Sequence, residues 1–393
     1  MRYGRDSGFV SFTFQDQEAN VIRDIRPFLR IRLPIILVGL LFIASGANPE
    51  QVTLTYEESA GLRDVNRHEH ALLISGQTPT LALTTTAAFP LDATAAYPGD
   101  KYHGVAYGPF RDGQSPVARI FPTRGELQQD IFFLGKLTEQ IRTYSSAYSL
   151  SEIPRICQEV GLICYPGAYI SGSIDENEIE IESLIEVGRQ GLSCVRELIV
   201  GNEVFCGTAV TEGDLIEYIR RVRKDTGGRV PVGTADTWAN WLNHPQLIEN
   251  VDFVMVHIHP YWDGIAIEDA TTHVLARLAE VEAKVRETSL DKPVIIGETG
   301  WPSEGNVRDN AIPSEQNQAR FLSDFLSIAD ANNIDYFFFE AFDEKWKSSD
   351  AAEAHWGLYY SDGSIKPLLR SFVPEDAKEG IDRREGVFPW GLH

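Results

Sequence analysis

Cysteine and methionine are scarce in this chain, four and two among 393 residues. No cysteine pair has the C-x-x-C spacing, which leaves a zinc ribbon or a thioredoxin-type site without support. Positive charge is also short. Lys and Arg total 35 against 57 Asp and Glu, a formal net charge of −22. Gripping phosphate backbones takes clustered cations, so nucleic acid is excluded as a partner. An anionic membrane surface is disfavoured on the same ground, less strongly. The first strand of the α/β region runs into GVAYGPF (Gly104–Phe110), which lacks G-x-G-x-x-G spacing, so a dinucleotide fold has no footing. What the chain does have is apolar mass, 43% hydrophobic and 10% aromatic residues. That is ample for a packed core and suits a soluble protein with a neutral partner.

One long apolar run occurs, Leu33 to Ala47, preceded by Arg23, Arg26, Arg30 and Arg32. It is shorter than the roughly 20 residues of a membrane span and ends in small residues, as a signal peptide does. Residues 1–47 are therefore expected to be a signal peptide or an uncleaved anchor, which predicts a secreted, periplasmic or outward-facing membrane-anchored protein. Residues 48–100 have weak periodicity, with possible strands at Ala71–Ser75 and Leu81–Thr85, and read as a linker or extension. Residues 374–393 read as a C-terminal tail.

Residues 101–373 change character. Eight short apolar runs alternate with helical segments: His103–Tyr107, Gln140–Tyr144, Leu162–Pro166, Glu197–Gly201, Val230–Thr234, Phe253–His257, Val294–Gly297 and Tyr336–Glu340. Near-continuous apolar character marks parallel strands buried on both faces. Between them, Thr272 is expected to cap a helix carrying Leu275, Leu278, Val281 and Val285. Ser314 is expected to open another, with Phe321, Leu322 and Phe325 on one face. Eight βα units mean a closed barrel or an open doubly wound sheet. A barrel puts its chemistry at the C-terminal strand ends, where polar and aromatic residues collect here.

Two glutamates close strands of this series, Glu203 after LIVGN and Glu298 after VIIG. A carboxylate ending a buried strand is unfavourable unless it is paired or sits in a site. Two of them facing each other across a barrel mouth is what glycoside cleavage needs, one carboxyl to protonate the leaving oxygen and one to attack or to activate water.

With these motifs on view, the sequence resembles glycoside hydrolase family 17, the β-1,3-glucanases and related glucanosyltransferases. The matching stretches are GVAYGPF, IRTYSS, IVGNEV, HPYWDG, IGETGWPS, and EAFDEKWK followed by HWGLYYSDGSIKP. They run in order from residue 103 to about 367, and several look most like the bacterial branch. The resemblance implies a (β/α)8 TIM barrel of retaining chemistry with no metal and no cofactor, acting on β-glucan polysaccharide or oligosaccharide; the chain is expected to be a monomer. It places the acid/base on Glu203 and the nucleophile on Glu298. A glucanosyltransferase would use the same two residues. A rival of another class is a silent glucan-binding barrel, against which the presence of both glutamates speaks.

Supporting roles are expected nearby. Asn202 can donate to a sugar 2-hydroxyl. Arg142 can hold Glu298 as a carboxylate. Tyr261 can donate to the nucleophile. Tyr107 and Tyr144 end the first two strands and are counted with the site, as are Glu340 and Lys345 in the strand-eight loop. Of Trp238, Trp241, Trp262, Trp301, Trp346 and Trp356, the three expected to touch sugar are Trp262, Trp301 and Trp346. His257 and His259 form an H-x-H pair that could grip a metal, but no third ligand accompanies them in the sequence. The run Asp175–Glu186 is read as a solvated helix start. Four cysteines allow three full pairings, although Cys164 and Cys194 lie in or beside strands where free thiols are common.

Overall fold

The structure is a computed structural model that describes residues 101–384 apart from 289, 290 and 348. The expected signal or anchor (1–47) and the extension (48–100), with its two possible strands, lie outside the described residues. No helix among the described residues is long and apolar enough to cross a membrane.

Nine parallel strands follow one another: β1 (Tyr102–Ala106), β2 (Thr138–Arg142), β3 (Ile163–Tyr165), β4 (Gly167–Ala168), β5 (Leu198–Asn202), β6 (Val232–Thr237), β7 (Val254–His257), β8 (Val294–Thr299) and β9 (Tyr336–Phe338). Their order is β3-β2-β1-β9-β8-β7-β6-β5-β4. Only Pro166 separates β3 from β4, the two ends of that order, so the sheet closes on itself. Proline has no N–H to give, and the strand changes partners there. Tyr165 O accepts from Thr143 N on one side, and Pro166 O from Ile199 N on the other, both at 3.0 Å. The eight expected strands are thus a (β/α)8 barrel with its third strand in two pieces.

Helices fill the crossovers: α1 (Arg124–Leu137), α2 (Ile153–Val160), α3 (Ile174–Arg189), α4 (Glu212–Asp225), α5 (Trp238–Asn243), α6 (Pro245–Asn250), α7 (Ala270–Glu287) and α8 (Glu315–Asn332). Side-chain caps start several of them, with full capping boxes at Thr123 and Thr211. Ser314 caps α8 as expected, and Phe321, Leu322 and Phe325 are buried. Thr272 does not cap α7. That helix starts at Ala270, and Val274 is buried rather than Leu275, a boundary that tertiary packing decides.

Side chains alternate along the strands. Tyr165, Ile199, Ala235, Phe253, Met255, Ile295 and Phe337 form a separate cluster, the plug of the barrel interior. Phe253 and Met255 are two apart, and the same alternation brings the next step, His257, inward at the C-terminal mouth.

The boundary read at 373 does not end the packed chain. Ala377 and Arg383 are buried, and Tyr359 donates to Ala377 O at 3.0 Å. All four cysteines are free, with Cys157, Cys164 and Cys194 buried and Cys206 exposed.

Candidate active site

Local backbone irregularities aim the two glutamates. The pairing of β5 with β6 slips between Ile199 and Asn202, and that of β7 with β8 between Val256 and His257, so that Glu298 pairs with His257. Bulges of this kind re-aim side chains at strand ends. Gly201 lies at φ +85° and Glu203 at φ +48°. For a residue with a side chain the left-handed region costs ~1–2 kcal/mol. Glu203 N donates to Ala235 O at 2.8 Å and Glu203 O accepts from Cys206 N at 2.9 Å, which hold the turn.

Glu298 is 5% exposed and surrounded by donors. Its Oε1 accepts from Tyr144 OH at 2.8 Å and from Arg142 Nη1 at 3.2 Å. Its Oε2 faces His259 Nε2 at 3.1 Å. Burial pushes the carboxyl up, but the hydrogen bond from His259 and the Arg142 guanidinium prevail and hold it well below the usual carboxylate range. Burial, then the Glu298 charge, pushes the Tyr144 phenol well up, so it stays a donor.

Arg142 is fully buried. Its Nη1 also reaches His257 Nε2 at 2.7 Å and Gly297 O at 3.1 Å, and its Nη2 reaches Asn202 Oδ1 at 2.6 Å. A Cβ on Gly297 would lie 3.0 Å from Arg142 Nη1 and 2.4 Å from Met255 Cγ, so only glycine admits this approach. A guanidinium cannot accept. His257 Nε2 is therefore the bare nitrogen, and its Nδ1–H donates to Glu203 Oε1 at 2.8 Å. With Asn202 Oδ1 held by Arg142, its amide N–H₂ is left for another partner.

Glu203, His257 and Glu298 offer ligand atoms that all lie within 4.8 Å of one another, the spacing of a cation site. Arg142 already places a permanent positive charge there and occupies His257 Nε2, so the residues present fit a metal poorly.

A cavity of about 1090 Å³ lies over the pair, lined by Asn202, Glu203, Glu298, His257, His259 and Tyr144 among others. Trp238, Trp262 and Trp346 line it too. Trp301, expected there, is instead fully buried with Nε1 donating to Ile312 O at 3.1 Å. Tyr261 does not reach the nucleophile. Its ring packs on Trp262, Trp301 and Trp356, and its hydroxyl goes to Asn306 O at 2.7 Å. Tyr144 makes the contact expected of it. Tyr107 is fully buried and donates to Asp130 at 2.9 Å, away from the cavity. Glu340 is also fully buried, both oxygens held by Lys347 Nζ at 2.9 Å. Lys345 pairs with Asp112 at the surface. The cavity-lining members of that loop include Glu344, Trp346 and Lys347, with Lys347 Nζ 2.7 Å from Glu344.

The sequence reading set aside His257 and His259, which prove central to the geometry. The alternation Phe253–Met255–His257 carried the signal. It also missed Glu180, a buried carboxyl on α3 that lines the cavity. Burial pushes Glu180 up to about 7, against hydrogen bonds from Ser145, Tyr169 N and Ser146 N.

Fold and site together define a class, the (β/α)8 barrel with a carboxylate pair at its C-terminal mouth, an arrangement that suits glycoside hydrolysis. A model described as the BtgE/BtgC glycoside hydrolase domain matches residues 104–357, and the chain belongs to that family. It is 29% identical over 299 residues to the putative glucan endo-1,3-β-glucosidase btgC of Aspergillus niger, covering 68% of this chain and 43% of that one. It is 30% identical over 253 residues to a glucan 1,3-β-glucosidase of Schizosaccharomyces pombe, covering 60% and 78%. The chain spans less than half the length of the Aspergillus relative. Among solved structures, an active-site mutant of Rhizomucor miehei β-1,3-glucanosyltransferase in complex with laminaritriose matches with a TM-score of 0.60 and 28% identity, over 70% of this chain and 98% of that one.

Proposed function

We propose that this protein cleaves β-1,3-glucosidic bonds in β-glucan by double displacement, with Glu298 as nucleophile and Glu203 as acid/base. The observation that carries this reading is the closeness of the two carboxyl groups, with one oxygen of Glu203 within 4.8 Å of one oxygen of Glu298. Retaining enzymes place the groups roughly 5–5.5 Å apart, whereas inverting ones need about 6.5–9.5 Å to admit a water. The names of the relatives and the laminaritriose of the Rhizomucor complex supply the substrate class. A cavity of about 1090 Å³ has room for an oligosaccharide.

In the first step the Glu298 carboxylate attacks the anomeric carbon while Glu203 gives its proton to the departing oxygen. Asn202 turns its free amide toward the sugar 2-hydroxyl, a contact that strengthens as oxocarbenium character develops. In the second step the Glu203 carboxylate takes the proton of the incoming water. The apolar run Leu33–Ala47 behind four arginines supports work outside the cytoplasm, as a secreted or envelope-held enzyme. If a sugar rather than water accepts the glycosyl group, the same residues carry out transfer.

Proton NMR of laminari-oligosaccharide cleavage tests the proposal. The first-formed reducing ends should be β and mutarotate later. First-formed α ends would mean inversion and end the double-displacement reading.

A further inference from the structure

Glu180, the buried acid of α3 on the cavity wall, takes its hydrogen bonds from two loops. Oε1 accepts from Ser145 Oγ at 2.6 Å, in the turn that follows β2. Oε2 accepts from Ser146 N in the same turn at 3.4 Å, and from Tyr169 N, just after β4, at 3.3 Å. One helical turn earlier on the same face of α3, Glu176 accepts from Tyr148 OH at 3.1 Å. The helix thus clamps the segment 145–148 twice. A buried carboxylate is unfavourable unless donors surround it, and here the donors come from the turn.

That turn starts at the support of the nucleophile. Tyr144 immediately precedes Ser145, and its hydroxyl donates to Glu298 Oε1 at 2.8 Å. Before it the chain is fixed by the barrel, with Thr143 N donating to Tyr165 O at 3.0 Å. Ser146 Oγ donates to Gly167 O at 2.8 Å. A Cβ on Gly167 would lie 2.5 Å from Thr143 O and 3.2 Å from Tyr144 Cα, so β4 backs directly on this stretch. The Tyr144 backbone is therefore set by the barrel on one side and by Glu180 on the other. A phenol is a long lever. A small tilt of the main chain at 144–146 becomes a larger shift of the hydroxyl, and hydrogen bonds weaken steeply as their geometry degrades.

We infer that Glu180 is a positioning residue for the nucleophile, its carboxylate holding the turn at Ser145 and Ser146 so that the Tyr144 hydroxyl meets Glu298. The inference rests on the reading of Glu298 as nucleophile above. Glu180 makes and breaks no bond to the substrate. Because it acts through Tyr144, its loss costs turnover rather than binding, and costs little once the Tyr144 hydroxyl is gone. A purely structural role would cost both backgrounds alike, and a direct sugar contact would raise KM.

The test is kcat and KM on laminaripentaose for the wild type, E180A, E180Q, Y144F and E180A/Y144F, with S145A and S145A/Y144F beside them. E180A should lower kcat roughly tenfold and leave KM within about twofold. E180Q, whose amide oxygen still accepts from the two N–H groups, should recover most of the loss. In the Y144F background E180A should lower kcat by less than about twofold. S145A should lower kcat roughly threefold in the wild type and leave Y144F unchanged, and this pair decides by the same rule where E180A does not fold. Equal fold losses with and without the Tyr144 hydroxyl overturn the inference. So does a raised KM with unchanged kcat, although cleavage would then stand. A wild type that consumes no laminaripentaose overturns the proposed function as well.

Discussion

Glu298 keeps its charge in a buried position because its neighbours donate hydrogen bonds to it. Tyr144 shows this most clearly, with a buried phenol whose hydroxyl ends on Oε1 at 2.8 Å. Tyr144→Phe removes one donor and leaves the ring and its stacking under Arg142. We expect kcat/KM to fall roughly 10- to 100-fold. The sign of the pH effect follows. Losing a donor to the charged form raises the Glu298 pKa, so the acid limb of the kcat/KM profile moves to higher pH. A pH–rate series on both enzymes checks it, and an unmoved acid limb would mean that Tyr144 does not hold the nucleophile. At this scale the sequence was informative where chemistry and strand position coincide. Glu203, Glu298, Asn202 and Arg142 end apolar runs that have no other use for a polar residue. It was uninformative where one step of alternation decides. Trp301 and Tyr107 follow strands just as Trp238 and Tyr144 do, yet point into the wall. Lys345 and Lys347 lie in a loop with no period, and only packing under Phe339 and Trp346 selects Lys347.

The elements were legible because each strand is a short apolar run and each long helix has an amphipathic stripe. Their ends were less so. The slips at β5 and β8 depend on neighbours remote in sequence, and the division of the third strand shows in the sequence only as Pro166. Caps are the exception, since they act locally. Ser314 lies before α8, and its hydroxyl accepts from Asn317 N at 3.1 Å. Ser314→Ala should lower stability by about 1 kcal/mol, readable as a lower denaturation midpoint with an unchanged slope. No shift would mean that the cap contributes nothing to α8.

Across the whole molecule, the last described residues pack back onto the first crossover helix. Asp130 of α1 is fully buried. It accepts from Arg111 Nη2 at 2.7 Å, from Arg383 Nη2 at 3.0 Å and from Tyr107 OH at 2.9 Å. The Arg383 guanidinium lies 4.0 Å from the Phe342 ring centroid. This clasp joins the first crossover to residues read from the sequence as a tail, and no local pattern announces it. Arg383→Ala leaves a buried carboxylate short of one cation and should destabilise by about 3–5 kcal/mol, with urea denaturation as the check. Native stability in that variant would mean that the segment is not part of the folded unit.

Double displacement requires Glu298 to form a bond to the substrate. A 2-deoxy-2-fluoro laminaribioside with an activated leaving group should slow the second step and trap that bond. Mass spectrometry of the digested protein should then find one added glycosyl unit on the peptide containing Glu298, and none in Glu298→Ala. An adduct on another carboxylate, or steady turnover with no adduct, would contradict it.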